Sequence, residues 1–299
     1  MTVLTLANRG YGLDITTTGA AIQRWFAKRD GTRIPLLCEA APPPGACFPL
    51  VPFGNRVRDN RFVFETIGYS LAPNTAWDRH YLHGDGWTSE WSVQDRSAAQ
   101  VTLGLHHDAA GTPYVYDAVQ RFTLSDDTLI LTLSVINRGA TALPFGLGWH
   151  PYFPWTPETT LQAPATGYWL EGADWLPTTR APLPPPLTFT TPRHLPRHWV
   201  NNGFTGWNGR CVITWPERQL ALELVADPMF RDYVLFIPDT EFMGGGAGDT
   251  LFAFEPMSHG IDAHHEVDDG GLQRLAPGQA LQGTIRLSAG ILEPGGRSD

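Results

Sequence analysis

A chain of 299 residues, 42% hydrophobic and 17% charged, is long enough to bury a sizeable core, and all-β proteins of this size commonly remain one domain. Its formal net charge of −9 argues against a nucleic-acid partner, which would call for a basic stripe, and no apolar run approaches the ~20 residues needed to cross a bilayer as a helix. Three cysteines (Cys38, Cys47, Cys211) without a CxxC pair argue against a disulfide framework or a structural zinc site and for a reducing cytoplasm, with a Cys38–Cys47 bridge left open.

The chain starts on an alternating segment, Met1 to Leu6, that reads as a strand and lacks the basic region and long apolar core of a signal peptide. Asp14–Thr18 is β-branched and runs into Gly19. Alternating apolar runs follow at Arg61–Phe64, Trp91–Val93, Val101–Leu105 and, after the turn residues Ser125-Asp126-Asp127, Leu129–Val135. Leu143–His150, Cys211–Trp215, Leu220–Leu224, Tyr233–Ile237, Leu251–Glu255 and Thr284–Leu287 continue the series. No stretch sustains a 3.6-residue period with caps. Short strands separated by turn chemistry predict an all-β sandwich or barrel, and the 31 glycines and 26 prolines fit many tight turns.

No linker divides the chain, so 1–299 is expected to form one domain. The proline-rich 181–186 segment reads as a rigid surface crossing, and 41–45 as a shorter loop of the same kind. Gly244–Gly248 reads as a flexible loop; it lacks the lysine and following helix of a phosphate cradle.

Four segments can carry chemistry. Pro52-Phe53-Gly54-Asn55-Arg56-Val57 bears an arginine able to hydrogen-bond ligand oxygens; a surface salt bridge is the plainer reading. In Leu82-His83-Gly84-Asp85-Gly86-Trp87 a tight turn holds His83, which can donate to a substrate oxygen, and Trp87, which can stack on a sugar face; alternatively Trp87 only anchors the turn. Along 143–150, Leu143, Phe145, Leu147 and Trp149 share one face. His150 follows Gly146 and Gly148 on the other, leaving open space for a ligand or else marking a bulge beside a core histidine. Glu255 ends an apolar run and is followed by Pro256, which is expected to stop the ladder; its apolar surroundings raise its pKa toward that of a general base, unless it is merely a surface glutamate.

Other signals are weaker. His106-His107 and His264-His265 are adjacent pairs that a strand points to opposite faces, which makes poor metal clamps. Arg193, His194, Arg197 and His198 read as a solvated basic loop. There is no G-x-S-x-G or H-E-x-x-H, and no activated serine or cysteine is indicated.

In chain order the motifs NRV, LHGDGW, WHPYF and FEP resemble those of the aldose 1-epimerase (galactose mutarotase) family. The likeness extends to Trp199–Gly209, similar to the family's sugar-binding loop, and to 275–279 with 283–287, similar to its final strand pair. It covers roughly residues 10–290. It implies a large antiparallel β-sandwich with an open concave groove, Glu255 as catalytic base and His150 as catalytic acid. His83, Arg56, Asn55 and Trp87 would bind the sugar, with no metal or organic cofactor. The family's sugar-binding aspartate falls at Asn201, which presents an amide donor in place of a charged acceptor; Asp232 or Asp262 would be candidates to compensate. The acid/base scheme expects a raised histidine pKa and an ionised glutamate, each supporting the other. A carbohydrate-binding protein without turnover, a sugar-phosphate epimerase, and a metal enzyme using His83, His150 and Glu255 as ligands are the competing readings.

Overall fold

Strict alternation builds the longest strands. Tyr116–Ser125 and Thr128–Asn137 pair antiparallel along their whole length, and each buries every second residue. The period of two delivers one apolar face to the core and one polar face to water. The computed structural model describes residues 2–39, 45–109, 111–239 and 250–292. The proline-rich 41–44 and glycine-rich 244–248 loops expected from the sequence lie outside the described residues.

Two large sheets dominate. A nine-stranded antiparallel sheet runs, in spatial order, Ser92–Arg96, Gln100–His107, Tyr116–Ser125, Thr128–Asn137, Ala280–Ile291, Leu220–Ala226, Arg210–Trp215, Thr160–Gln162, Arg193–His194. The second runs Pro177–Ala181, Gly167–Glu171, Val200–Thr205, Asp232–Ile237, Leu251–Met257, Gly148–Trp149, Pro49–Leu50, with Tyr152–Pro154 also pairing to Leu251–Met257. A four-stranded sheet, Val3–Ala7 to Thr32–Leu37, begins the chain. The described residues hold only short 3₁₀ turns as helix. The all-β sandwich expected from the sequence is the fold observed. One core draws residues from Leu4 through Ala289; a second, smaller cluster of Phe48, Leu50, Trp87, Tyr152, Val234, Leu251, Ala253, Met257 and Ile261 lies on the other face of the second sheet.

Five local expectations are corrected. Pro256 does not end its strand: Leu251–Met257 continues past it, with Tyr233 opposite Pro256 and Asp232 opposite Met257. A missing ladder bond costs about 1 kcal/mol, less than the roughly 2–3 kcal/mol that burying each of Phe252 and Phe254 contributes, so packing carries the strand through. The segment 143–150 is not one strand but two, Leu143–Phe145 and Gly148–Trp149. Its glycines are also not open to ligand. A Cβ at Gly146 would lie 2.1 Å from His259 Cδ2, and one at Gly148 would lie 2.8 Å from Pro256 O. Finally, residues 200–205 of the expected sugar-binding loop form a central strand, and Gln273–Leu275 pairs with Leu143–Phe145 rather than with the last strand.

Candidate active site

The second sheet has a break where the site is built. Leu251–Met257 pairs with Tyr152–Pro154 at one end and with Gly148–Trp149 at the other. Between them His150 leaves the ladder and donates its backbone N–H to Phe48 O at 2.9 Å. Its side chain turns to the face that carries Leu251, Ala253 and Glu255, while Phe252 and Phe254 fill the opposite core. The result is a 3.1 Å contact between His150 Nε2 and Glu255 Oε1. The imidazole is held between Phe48, stacked at 4.7 Å, and Tyr152, tilted at 4.6 Å.

Both groups are nearly enclosed, with side chains 7% and 3% exposed. Burial therefore governs their charge. It pushes Glu255 up to about 8, against the pull of Arg56, and His150 down to about 3. This corrects the expected mutual support of an imidazolium and a carboxylate: removal from water outweighs their attraction, and the uncharged pair is favoured at rest. His150 Nδ1 and Glu255 Oε2 are buried without a hydrogen-bond partner, and both residues line the same pocket.

The opposite wall comes from two loops clamped together. Asn55 and His83 both adopt left-handed backbone, each at φ 61°. His83 N–H donates to Asn55 O at 2.9 Å, and Asn55 N–H donates to His83 Nδ1 at 3.1 Å. Nδ1 is thus an acceptor, which fixes a neutral ring with its proton on Nε2; burial, with His150 and Arg56 adding to it, holds the pKa well below the ordinary histidine value. Asn55 Oδ1 is occupied by the Arg56 N–H at 2.9 Å. Arg56 Nε binds Asp78 Oδ2 at 2.8 Å, and its guanidinium lies 5.0 Å over the Trp175 ring. Trp87 also lines the pocket, with its indole N–H directed at Leu82 O and Gly84 O.

Gly84 makes the clamp possible. At φ 68° it allows Val51 O to approach within 2.3 Å of where a Cβ would sit. Gly84→Ala is expected to destabilise the protein by about 2 kcal/mol or more and to misplace His83. Thermal unfolding beside a sugar-binding measurement checks both effects.

Several participants escape sequence reading. His259 accepts the Gly54 N–H on Nε2 at 2.9 Å and lies 2.7 Å from Gly260 O through Nδ1, so it ties the Asn55–Arg56 loop to the end of the Glu255 strand. Its only hint is its place just after the FEP motif. Asp78, which holds Arg56, and the outer aromatics Trp77, Trp175 and Phe236 carried no motif, whereas Trp199 opens the 199–209 segment likened to the family's sugar-binding loop. Asp232 and Asp262, the candidates to compensate for Asn201, do not face this pocket. Asp262 is engaged by Arg58 and His265, and Asp232 lies in a separate depression with Arg180 and Glu266. The carboxylate at Asn201 is instead Glu171, whose Oε1 accepts from Asn201 Nδ2 at 2.7 Å.

Ligand atoms of His83, His150 and Glu255 lie within 4.8 Å of one another, close enough to consider a metal. The Asn55 N–H opposes it. Metal on His83 Nδ1 would displace that hydrogen bond, and metal on Nε2 would require a proton on Nδ1, facing another donor. The donor set is poorly arranged for a cation.

A large antiparallel sandwich with a buried histidine–glutamate pair and a polar, tryptophan-lined pocket on one sheet defines a galactose mutarotase-like protein. The comparisons with known proteins agree. The family model for aldose 1-epimerase matches residues 2–288, so the chain belongs to the aldose 1-epimerase family. It is 44% identical over 290 residues to the uncharacterised Escherichia coli K12 protein YphB, covering 96% of this chain and 98% of that one. A crystal structure of a candidate aldose 1-epimerase from Escherichia coli K12 superposes with TM-score 0.91 at 43% identity, over 97% of this chain and 99% of the other. A galactose mutarotase-like protein from Clostridium acetobutylicum shares the fold at TM-score 0.82 and 17% identity, over 97% and 95% of the two chains.

Proposed function

We propose that this chain is an aldose 1-epimerase that interconverts the α and β anomers of a free, neutral aldose. The observation that carries this reading is the 3.1 Å convergence of His150 and Glu255 inside the pocket. Ring opening requires loss of the C1 hydroxyl proton and gain of a proton by the ring oxygen. Glu255 takes the first and His150 supplies the second; the aldehyde rotates, and the steps reverse on its other face. One proton hop across the 3.1 Å separation of His150 Nε2 and Glu255 Oε1 converts the resting pair, acid and neutral imidazole, into the reactive carboxylate and imidazolium. Ring opening then returns the pair to its uncharged form, which the apolar surroundings favour. That preference assists the uphill step. His83, through its Nε2 proton, and Arg56 hold and polarise the sugar, with Asn55, Asn201 and Trp87 shaping the pocket. The scheme needs no metal or organic cofactor.

Among the described residues lining the pocket, Arg56 is the one Lys or Arg, and its Nε is already bound to Asp78. That disfavours a sugar phosphate. A binding protein without turnover is the second reading. Polarimetry or NMR of freshly dissolved aldoses separates the two: equilibration no faster than in buffer, across a panel of sugars, would defeat the enzyme. Among the described residues no helix is long and apolar enough to cross a membrane, and three free thiols support a reducing compartment such as the cytoplasm.

The charge states make a pH prediction. The pair holds two protons below its lower pKa, one in the interval between, and none above the upper value set by Glu255, at about 8. Only the one-proton form can both accept and donate. kcat/KM should therefore stay flat through neutrality and fall about tenfold per pH unit above about 8. A rate that climbs through that range contradicts the shared-proton scheme.

A further inference from the structure

The strand Gly167–Glu171 ends at a register shift that lies between Trp169 and Glu171. Such irregularities re-aim side chains. Here Glu171 bridges two residues of the pocket wall: Oε1 accepts from Asn201 Nδ2 at 2.7 Å, and Oε2 accepts from the Trp199 indole N–H at 2.7 Å. Glu171 is not itself among the residues lining the pocket, whereas Asn201 and Trp199 are. Trp199 in turn meets Phe236, a third wall residue, edge-on at 5.5 Å.

We infer that Glu171 is a specificity-determining positioning residue: it orients the Asn201 amide and the Trp199 indole, and so sets which aldose hydroxyls the pocket recognises. This deepens the proposed function and rests on reading the pocket as a sugar site. The physical basis is the acceptor-only character of a carboxylate. Asn201 can meet it only with its NH₂ group, through one of its two N–H bonds, so its Oδ1 is kept as an acceptor for a ligand. The pocket wall therefore offers a neutral acceptor where an aspartate at this position would offer a charged one. Negative charge is kept, but one residue behind the wall. A neutral acceptor binds a hydroxyl roughly half as strongly as a carboxylate does, so the sugar hydroxyl that meets Asn201 is selected less sharply. Of the two amide N–H bonds expected as donors at residue 201, one is engaged by Glu171.

Exchanging the two partners tests this. Calorimetric titration with D-galactose, D-glucose, D-xylose and L-arabinose compares the wild type with Glu171→Ala, Asn201→Asp and the double variant Glu171→Gln/Asn201→Asp, alongside kcat and KM for exchange. Glu171→Ala should weaken binding about tenfold with kcat changed less than about threefold, because orientation is lost while the proton-transfer pair is untouched. Asn201→Asp places two carboxylates together. It should weaken binding similarly at neutral pH and recover in part near pH 5.5, where one of them protonates. In the double variant the amide introduced at position 171 can donate to the carboxylate introduced at position 201. Affinity should return to within about threefold of wild type, and the order of sugar preference should change.

Binding by Glu171→Ala within about threefold of wild type for every sugar, or a double variant no better than Asn201→Asp alone, overturns the assignment. Exchange activity in the wild type with unaltered variants defeats this inference alone. The expected binding pattern without any exchange defeats the catalytic reading alone. A wild type that binds none of the four sugars defeats both.

Discussion

Glu255→Gln is expected to reduce the kcat for anomer exchange by about a thousandfold while leaving sugar affinity within about threefold of wild type. The amide keeps the shape of the carboxyl and can still donate to a neutral His150, so the pocket is preserved. It cannot accept the C1 proton. A variant retaining more than about a tenth of wild-type kcat would show that Glu255 is not the base. The same substitution carries an opposite consequence for stability. Burial raises the Glu255 pKa above its ordinary value, so between those two values the native state binds more protons than the unfolded chain. Stability contributed by this residue is therefore fully present at acidic pH and lost as pH rises through about 8. Gln carries no such burden. Glu255→Gln should melt higher than wild type at mildly alkaline pH, with the gain vanishing toward the ordinary carboxylate range. A catalytic carboxylate held against its preference for water predicts that trade; a surface glutamate does not.

His150→Asn should cost about 10²–10³-fold in kcat, because the ring oxygen loses its proton donor. Its pH profile should also change direction. In the wild type the rate falls above about 8 as the shared proton departs. Without the imidazole, only the ionised fraction of Glu255 limits the residual rate. That rate should climb with pH and then level off. The control is a melting curve, since the imidazole is packed between Phe48 and Tyr152 and its loss leaves a partial void costing about 1–3 kcal/mol. A stable variant whose activity still declines above about 8 would remove His150 from the proton transfer.

Much of the framework was legible along the chain because its causes are local. Alternation at 116–125 and 128–137 states which face is buried. Leu143, Phe145, Leu147 and Trp149 point to the core as their spacing requires, and Phe252 and Phe254 part from Glu255 for the same reason. Expectations failed where a remote neighbour decided the outcome. Gly146 and Gly148 looked like room for a ligand, but His259 and Pro256 fill that space. Pro256 looked like a strand stop, yet the core packing of its neighbours carries the ladder past it. Glu171 had no signal, because the two side chains it holds lie 28 and 30 residues further along the chain.

By itself, then, the amino-acid order determined the strand-rich architecture, the faces of the strands and the four short motifs that gather at the pocket, since a side-chain period and a turn preference act over a few residues. The tertiary structure alone decided that His150 meets Glu255, that His83 is held neutral by the Asn55 backbone, and that the carboxylate behind the wall comes from residue 171. It also decided which protonation states the pair adopts. A pKa in a closed site is governed by how much water the rest of the fold has displaced, and that exclusion is the work of segments far apart in the chain.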